Sequence, residues 1–208
     1  MYTPPAYAEE RLEVQHAFIR AHGFATIVSP ARDGGVVADH VPLVLDAGAG
    51  AYGTLIGHFA RANPHVARRL PGAGSVAIFH GPHAYVTPSW YPNKHETGMD
   101  VPTWNYVAVH AHGVLETFDD PDALLAMLKT LTAHHEAGRA EPWHVEDAPD
   151  AYIRSQLRAI VGVRIPIAQI EGKFKLSQNR TARDRAGAKA GLAASEGHVA
   201  RAVAALME

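Results

Sequence analysis

The sequence predicts a mostly β protein with flanking helices (α+β), built on an antiparallel sheet or barrel. Between residues 24 and 118, short apolar segments rich in β-branched residues follow one another with turns between them, without regular alternation with helices. After residue 120 the spacing of apolar residues becomes helical. Because no repeat or flexible linker divides the 208 residues, one domain is expected over 1–208, with a helical tail from about 180 to 208.

The first half of the chain contains most of the predicted strands. An amphipathic helix over 9–22 ends at Gly23, a residue typical of helix ends. Proline lacks a backbone N–H and therefore interrupts strands, so breaks are expected at Pro42, Pro82 and Pro88. The predicted strands are 24–29, 36–46, 54–56, 75–91 and 103–118.

The second half contains most of the predicted helices. Aspartates precede a helical pattern in which Leu124, Leu128 and Leu131 share one face. A short helix over 147–160 and a final strand over 161–172 follow, before the alanine-rich tail.

The composition excludes several classes of protein. Cysteine is absent, which excludes disulfides, thiolate catalysis and cysteine metal sites. No apolar run approaches the roughly 18–20 residues of a membrane span, and the N-terminus does not resemble an export signal, so a cytoplasmic protein without membrane contact is expected. A formal charge of −2 gives no electrostatic indication of nucleic acid binding.

A polar corner lies between a predicted strand and a predicted helix. His58, Arg61 and Asn63 precede Pro64 within a few residues. A helix N-terminus favours anions, so these side chains could bind a phosphate. The alternative is a capped helix, with Asn63 at the N-cap, Pro64 in the first turn and Arg61 in solvent. Both interpretations remain open on spacing alone.

Two further segments combine aromatic and polar side chains. Residues 79–92 contain four aromatic residues, two histidines and three prolines, which could cover a planar ligand or close the end of a barrel. Trp104 and Asn105 begin the longest predicted strand, where they could meet the polar edge of a ring system. His110 and His112 share a face of that strand, but spacing marks no third metal ligand, so no metal site is predicted among the fourteen histidines.

The segment 171–180 ends the last predicted strand and begins the most basic stretch of the chain. Lys173 and Lys175 alternate onto one face, and Ser177, Gln178 and Asn179 follow as hydrogen-bond donors. Basic residues continue to position 189, and this stretch could meet the phosphate of a cofactor or of DNA. The alternative is an ordinary helix start with solvated lysines.

Four motifs, in this order, closely resemble the FMN-binding negative transcriptional regulator family, the PaiB-like proteins. They are GHFARANP, FHGPHAYVTPSWY, VPTWNYVAVHAHG and GKFKLSQNR. The opening MYTPPAY and the strand VVADHVPLVL resemble the same family, so the likeness covers about residues 1–190.

The resemblance implies an FMN-binding split β-barrel of the pyridoxamine-phosphate-oxidase type. It further implies a homodimer with FMN at the subunit interface. The residues implied at the phosphate are His58, Arg61 and Asn63, and those implied elsewhere around the flavin are Tyr85, Ser89, Trp90, Trp104, Asn105, Lys175 and Gln178.

Three functions follow as hypotheses. The family favours a flavin-binding negative regulator that acts on DNA or through a regulatory protein, and the chain's composition favours the protein partner. An FMN-dependent oxidoreductase on a small substrate is the first alternative, although the sequence nominates no catalytic residue. A haem- or metal-binding split barrel, suggested by the histidines, is the second.

Overall fold

The computed structural model describes residues 1–207 as two compact units. Unit 1 comprises residues 1–11, 80–109 and the chain from 171 onward; unit 2 comprises 12–79 and 110–170. Two long strands contribute residues to both units. The expectation of a single domain stays a prediction. Among the described residues, no helix is long and apolar enough to cross a lipid bilayer.

The secondary structure consists of runs of consecutive strands with helices between the runs. The strands are β1 (Ala8–Glu9), β2 (Phe24–Pro30), β3 (Val36–Pro42), β4 (Val44–Asp46), β5 (Thr54–Ala60), β6 (Gly74–Val86), β7 (Thr103–Val114), β8 (Glu116–Phe118), β9 (Ile160–Pro166) and β10 (Gln169–Lys175). The helices are α1 (Leu12–Ala21), α2 (Pro64–Arg68), α3 (Pro92–Thr97), α4 (Pro121–Glu136), α5 (Asp150–Leu157), α6 (Ala182–Ala193) and α7 (His198–Leu206).

Unit 2 is built on antiparallel strand pairs. A four-stranded sheet has the order β4-β5-β9-β8, and β5 pairs with β9 from Thr54↔Pro166 to Ala60↔Ile160. A second group of neighbouring strands has the order β6-β2-β3. The inward side chains of β5 and β9, such as Leu55 and Val163, are fully buried, which is the alternation expected of strands with one face on a core.

Unit 1 carries the strand order β1-β10-β7-β6 and the helices α3, α6 and α7. On β7, Val107 and Val109 point to the buried face, as the alternation predicts. The tail is helical, as predicted: α6 begins after Thr181, whose hydroxyl accepts a hydrogen bond from the backbone N–H of Asp184. This capping supplies a partner for an N–H group that the helix leaves free.

Several boundaries differ from the sequence expectations because non-local pairing decides them. The first helix begins at Leu12, since Glu9 lies in β1 opposite Gly172. β6 runs through Pro82 without a break. Only residues 76–78 of β6 pair with β2, so the N–H that Pro82 lacks removes no hydrogen bond between β6 and β2.

The predicted final strand over 161–172 is two strands. β9 ends at Pro166, and the backbone N–H of Ala168 donates to the carbonyl of His112 before β10 begins. The predicted strand over 103–118 likewise divides into β7 and β8, at Leu115. The interruption near Pro42 and the break at Pro88 are confirmed.

Candidate functional site

A small polar cavity lies on unit 1 where β7 begins and β10 ends. Its volume is about 60 Å³, enough for a few atoms or waters but not for a whole cofactor. The residues that line it are Tyr7, Thr103, Asn105, Lys175, Ser177, Asn179 and Arg180. Two of them, Asn105 and Lys175, are sequence-predicted site residues, and the set combines cations, amides and hydroxyls.

The turn after β10 fixes the wall of this polar cavity. Ser177 adopts φ 66°, a conformation that non-glycine residues rarely take and that often marks a functional site. Its buried Oγ lies 2.9 Å from Asn105 Nδ2 and 3.2 Å from Asn105 Oδ1. Gln178 closes the turn, because its Oε1 accepts from Leu176 N at 2.7 Å and its Nε2 donates to Phe174 O. The structure therefore gives Gln178 a role within the backbone turn.

Lys175 gives the polar cavity a positive charge. Its Nζ donates to the Thr103 hydroxyl and, at 2.6 Å, to the carbonyl of Trp104. Burial lowers the pKa of Lys175, and the positive charges of Lys173 and Arg180 lower it further. Three cations held near one another favour an electron-rich group that would lie between them.

Arg180 is the second cation of the cavity and is itself anchored. It forms an ion pair with Asp100, whose side chain is 2% exposed, and its guanidinium carbon lies 4.6 Å from the centre of the Tyr91 ring. Asp100 Oδ2 is buried and has no hydrogen-bond partner among residues 1–207. Burial raises the pKa of Tyr91. Arg180 is thus held by one carboxylate oxygen and one aromatic face.

Three exposed rings form what we call the aromatic surface of unit 1: His83, Tyr85 and Trp104. Tyr85 is 49% exposed and Trp104 52% exposed. The Trp104 ring centre lies 5.7 Å from that of His83 and 6.3 Å from that of Tyr85. Aromatic rings left in solvent are uncommon and typical of binding surfaces. One hydrogen bond links the surface to the polar cavity, because Lys175 Nζ donates to the carbonyl of Trp104.

Ser89 and Trp90 lie in a one-turn 3-10 helix beside α6. The Trp90 ring packs on the glycine face of α6, where a Cβ on Gly191 would lie 2.2 Å from a ring carbon. Ser89 is exposed, and its carbonyl lies 3.0 Å from His95 Nε2. Flavin contacts for these two residues stay predictions.

The predicted phosphate corner belongs to unit 2, and its capping interpretation is confirmed. Asn63 Oδ1 accepts from His65 N at 2.8 Å, and Asn63 Nδ2 donates to Asp39 Oδ1 at 3.0 Å. Pro64 occupies the first turn of α2, a helix of five residues. The amide of Asn63 is therefore engaged in capping, and a phosphate contact for it stays a prediction.

Arg61 is exposed but forms hydrogen bonds within unit 2, whereas His58 has a buried ring nitrogen. Arg61 donates to the carbonyls of Arg158 at 3.0 Å and Ile160 at 2.8 Å, and it lies 3.8 Å from Asp119. His58 Nδ1 is buried without a hydrogen-bond partner among the described residues, and burial lowers the pKa of the ring. The imidazole of His58 is therefore kept neutral near pH 7. Phosphate contacts of Arg61 and His58 stay predictions.

Comparison with known proteins identifies relatives along nearly the whole chain. The protein family described as "Putative FMN-binding domain" matches residues 1–169. The "Protease synthase and sporulation protein PAI 2" of Bacillus subtilis is 32% identical over 208 residues, which cover 100% of this chain and 97% of that protein.

Solved structures share the fold at low sequence identity. The FAD and heme binding protein from Mycobacterium smegmatis has a TM-score of 0.62 at 19% identity, covering 88% of this chain and 80% of that chain. The flavocytochrome Anf3 from Azotobacter vinelandii has a TM-score of 0.58 at 15% identity, covering 81% of this chain and 69% of that chain. The predicted fold class, a mostly antiparallel split barrel with flanking helices, is confirmed.

Proposed function

Because this chain belongs to the FMN-binding domain family, we propose that it is an FMN-binding regulator whose flavin ring contacts unit 1. The family and its cofactor, FMN, are those that the sequence motifs predict. When bound, FMN supplies reversible electron transfer, while the protein supplies binding, orientation and electrostatics.

The donor groups of the polar cavity fit the polar edge of a flavin ring. That edge is rich in acceptors, with two carbonyl oxygens and an unprotonated ring nitrogen. Lys175 has only donors, and Asn105 holds Ser177 in the cavity wall through its amide. The Lys175 ammonium group beside the exposed Trp104 is the observation that carries the proposal, because a cation at this position complements an acceptor-rich ring edge.

The aromatic surface supports the same placement of the flavin. A planar ring system stacks on exposed aromatic side chains, and Tyr85 and Trp104 are about half exposed. Trp104 connects this surface to Lys175, so a ring lying on the aromatic surface would bring its polar edge to the cavity. The chain's own contribution is to orient the ring and to exclude water from its polar edge.

A homodimer is the second part of the proposal. Unit 1 exposes Tyr85 and Trp104 together with Met99, at 78%, and Val101, at 67%. Exposed apolar side chains on a folded unit are typical of contact surfaces. A second copy of the chain would cover such side chains and complete the enclosure of the flavin.

The third part is negative regulation through a protein partner. The Bacillus subtilis relative carries a name that refers to protease synthesis and sporulation. In the basic stretch, Arg180 pairs with Asp100, Arg183 pairs with Glu96, and Lys189 donates to the carbonyl of Met207. The carboxylates of Asp100 and Glu96 neutralise Arg180 and Arg183 and lower the attraction of this stretch for DNA phosphates, which favours a protein partner over direct DNA binding.

Replacing Lys175 with methionine tests the ring contact. We expect Lys175→Met to weaken the binding of both FMN and riboflavin by roughly 10- to 100-fold, the usual effect of losing a hydrogen bond to a charged group. Both ligands should be affected because riboflavin lacks the phosphate but carries the same ring. Quenching of flavin fluorescence measures the two dissociation constants.

Two variants serve as controls for this experiment. Lys94→Met removes a lysine of α3 that lies outside the cavity and should leave both affinities unchanged. Arg61→Ala removes a predicted phosphate ligand and should weaken FMN binding alone. Unchanged flavin affinity in Lys175→Met, or a loss confined to FMN, would overturn the ring contact; a wild-type chain that binds neither ligand would overturn the proposed function.

A further inference from the structure

A second and much larger cavity lies within unit 2, between α4 and α5. Its volume is about 500 Å³, which is within the roughly 300–1,000 Å³ of small-molecule sites. Aliphatic side chains form its floor: Leu124, Leu125, Val145, Ile153 and Leu157. None of its residues belongs to the polar cavity or to the aromatic surface of unit 1.

The floor of this α4–α5 cavity continues an apolar core. Leu124 and Leu157 are buried in one cluster with Val44, Met127 and Leu131. The cavity is open to solvent at its charged rim, and its aliphatic floor gives it the surface of a binding site for a molecule with an apolar part.

The rim of the cavity is charged, but its charges already neutralise one another. Lys129 Nζ lies 2.5 Å from Glu146 Oε1, and Arg154 lies 3.2 Å from the carboxylate of Asp150. The rim contains four cations and four carboxylates in all: Arg61, Lys129, Arg154, Arg158, Asp119, Asp122, Glu146 and Asp150. The charges of the rim therefore sum to zero, and a charged ligand would lose its own hydration over an aliphatic floor.

We propose that the α4–α5 cavity binds an uncharged, largely apolar small molecule at a site separate from the flavin-ring contacts of unit 1. The inference goes beyond the proposed function, because it assigns unit 2 a ligand of its own. The aliphatic floor contributes the binding free energy through the hydrophobic effect, and the neutral rim selects against ions.

A matched pair of probes tests the charge preference. The neutral 1-naphthol and the anionic 1-naphthalenesulfonate share one ring system and differ in charge. We expect 1-naphthol to shift the methyl NMR signals of Leu124, Ile153 and Leu157 in the full-length protein, and the sulfonate to bind at least about tenfold more weakly because its charge must be desolvated.

Two cavity-filling variants and one control complete the experiment. Ile153→Trp should abolish 1-naphthol binding with riboflavin affinity unchanged, and Leu125→Trp should do the same if the first variant fails to fold. Tyr152→Trp, a change at a 57% exposed neighbour on α5, should leave 1-naphthol binding intact.

Three outcomes would overturn the inference. They are methyl signals unmoved by 1-naphthol, equal or tighter binding of the sulfonate, and shifts of the same methyl signals by riboflavin or by self-association of the protein. Because riboflavin affinity is measured separately, failure of this inference is distinct from failure of the proposed function.

Discussion

Replacing Arg180 with methionine is expected to lower the free energy of unfolding by about 3–5 kcal/mol, the usual cost of leaving a buried charge unpaired. Arg180 is the ion-pair partner of Asp100, whose side chain is 2% exposed. Its guanidinium also covers the Tyr91 ring at 4.6 Å, a contact that the variant would lose. Urea denaturation at neutral pH measures the change.

Two comparisons separate this effect from a general loss of charge. Arg183→Met breaks an ion pair with Glu96 in which both side chains are more than half exposed, so it should cost less than about 1 kcal/mol. The double variant Asp100→Asn, Arg180→Met should recover part of the loss, because no carboxylate is then buried without its partner. Equal losses for Arg180→Met and Arg183→Met would contradict the burial of this pair.

Gly187→Ala is expected to destabilise the protein by about 1–3 kcal/mol, the usual range for overpacking a core. In an exposed helix the same change stabilises by about 0.8–1.0 kcal/mol, because alanine is the better helix former. Here a Cβ on Gly187 would lie 2.1 Å from the backbone oxygen of Trp90. The free energy lost through this steric clash should therefore exceed the free energy gained from the better helix propensity of alanine. Thermal or urea unfolding measures whether Gly187→Ala lowers or raises the free energy of unfolding.

A change at a nearby exposed position of α6 provides the control for the glycine prediction. Ala190→Gly should cost about 1 kcal/mol through helix propensity alone, since Ala190 is exposed. Gly191→Ala should resemble Gly187→Ala, because its Cβ would meet the Trp90 ring. A stabilised Gly187→Ala would show that the 3-10 helix carrying Trp90 does not pack on α6.

The sequence predicts local structure well where one segment decides it. Asn63 before Pro64 allows either a capped helix or a phosphate site, and the capped helix is confirmed. Alternation along β7 predicts two faces, and the structure buries the one that contains Val107 and Val109. The prediction that Pro82 interrupts a strand is wrong. The segment alone does not show that β2 pairs only with residues 76–78 of β6, which leaves Pro82 outside that pairing.

The candidate site is less predictable because its contacts are non-local. Asn105 and Ser177 are 72 positions apart, and Asp100 and Arg180 are 80 positions apart. The motif GKFKLSQNR indicates a polar turn, but no spacing rule assigns Ser177 its left-handed backbone or pairs Arg180 with Asp100. Likewise, the sequence shows Arg61 as a free cation, whereas the fold brings the carbonyl groups of Arg158 and Ile160 to it.

A crystal structure grown with FMN tests most directly whether the flavin ring binds to unit 1. We predict that the ring lies against Trp104 and Tyr85, with its carbonyl edge within hydrogen-bond distance of Lys175 Nζ. A flavin ring bound away from these three residues, for example in the α4–α5 cavity, would contradict the account.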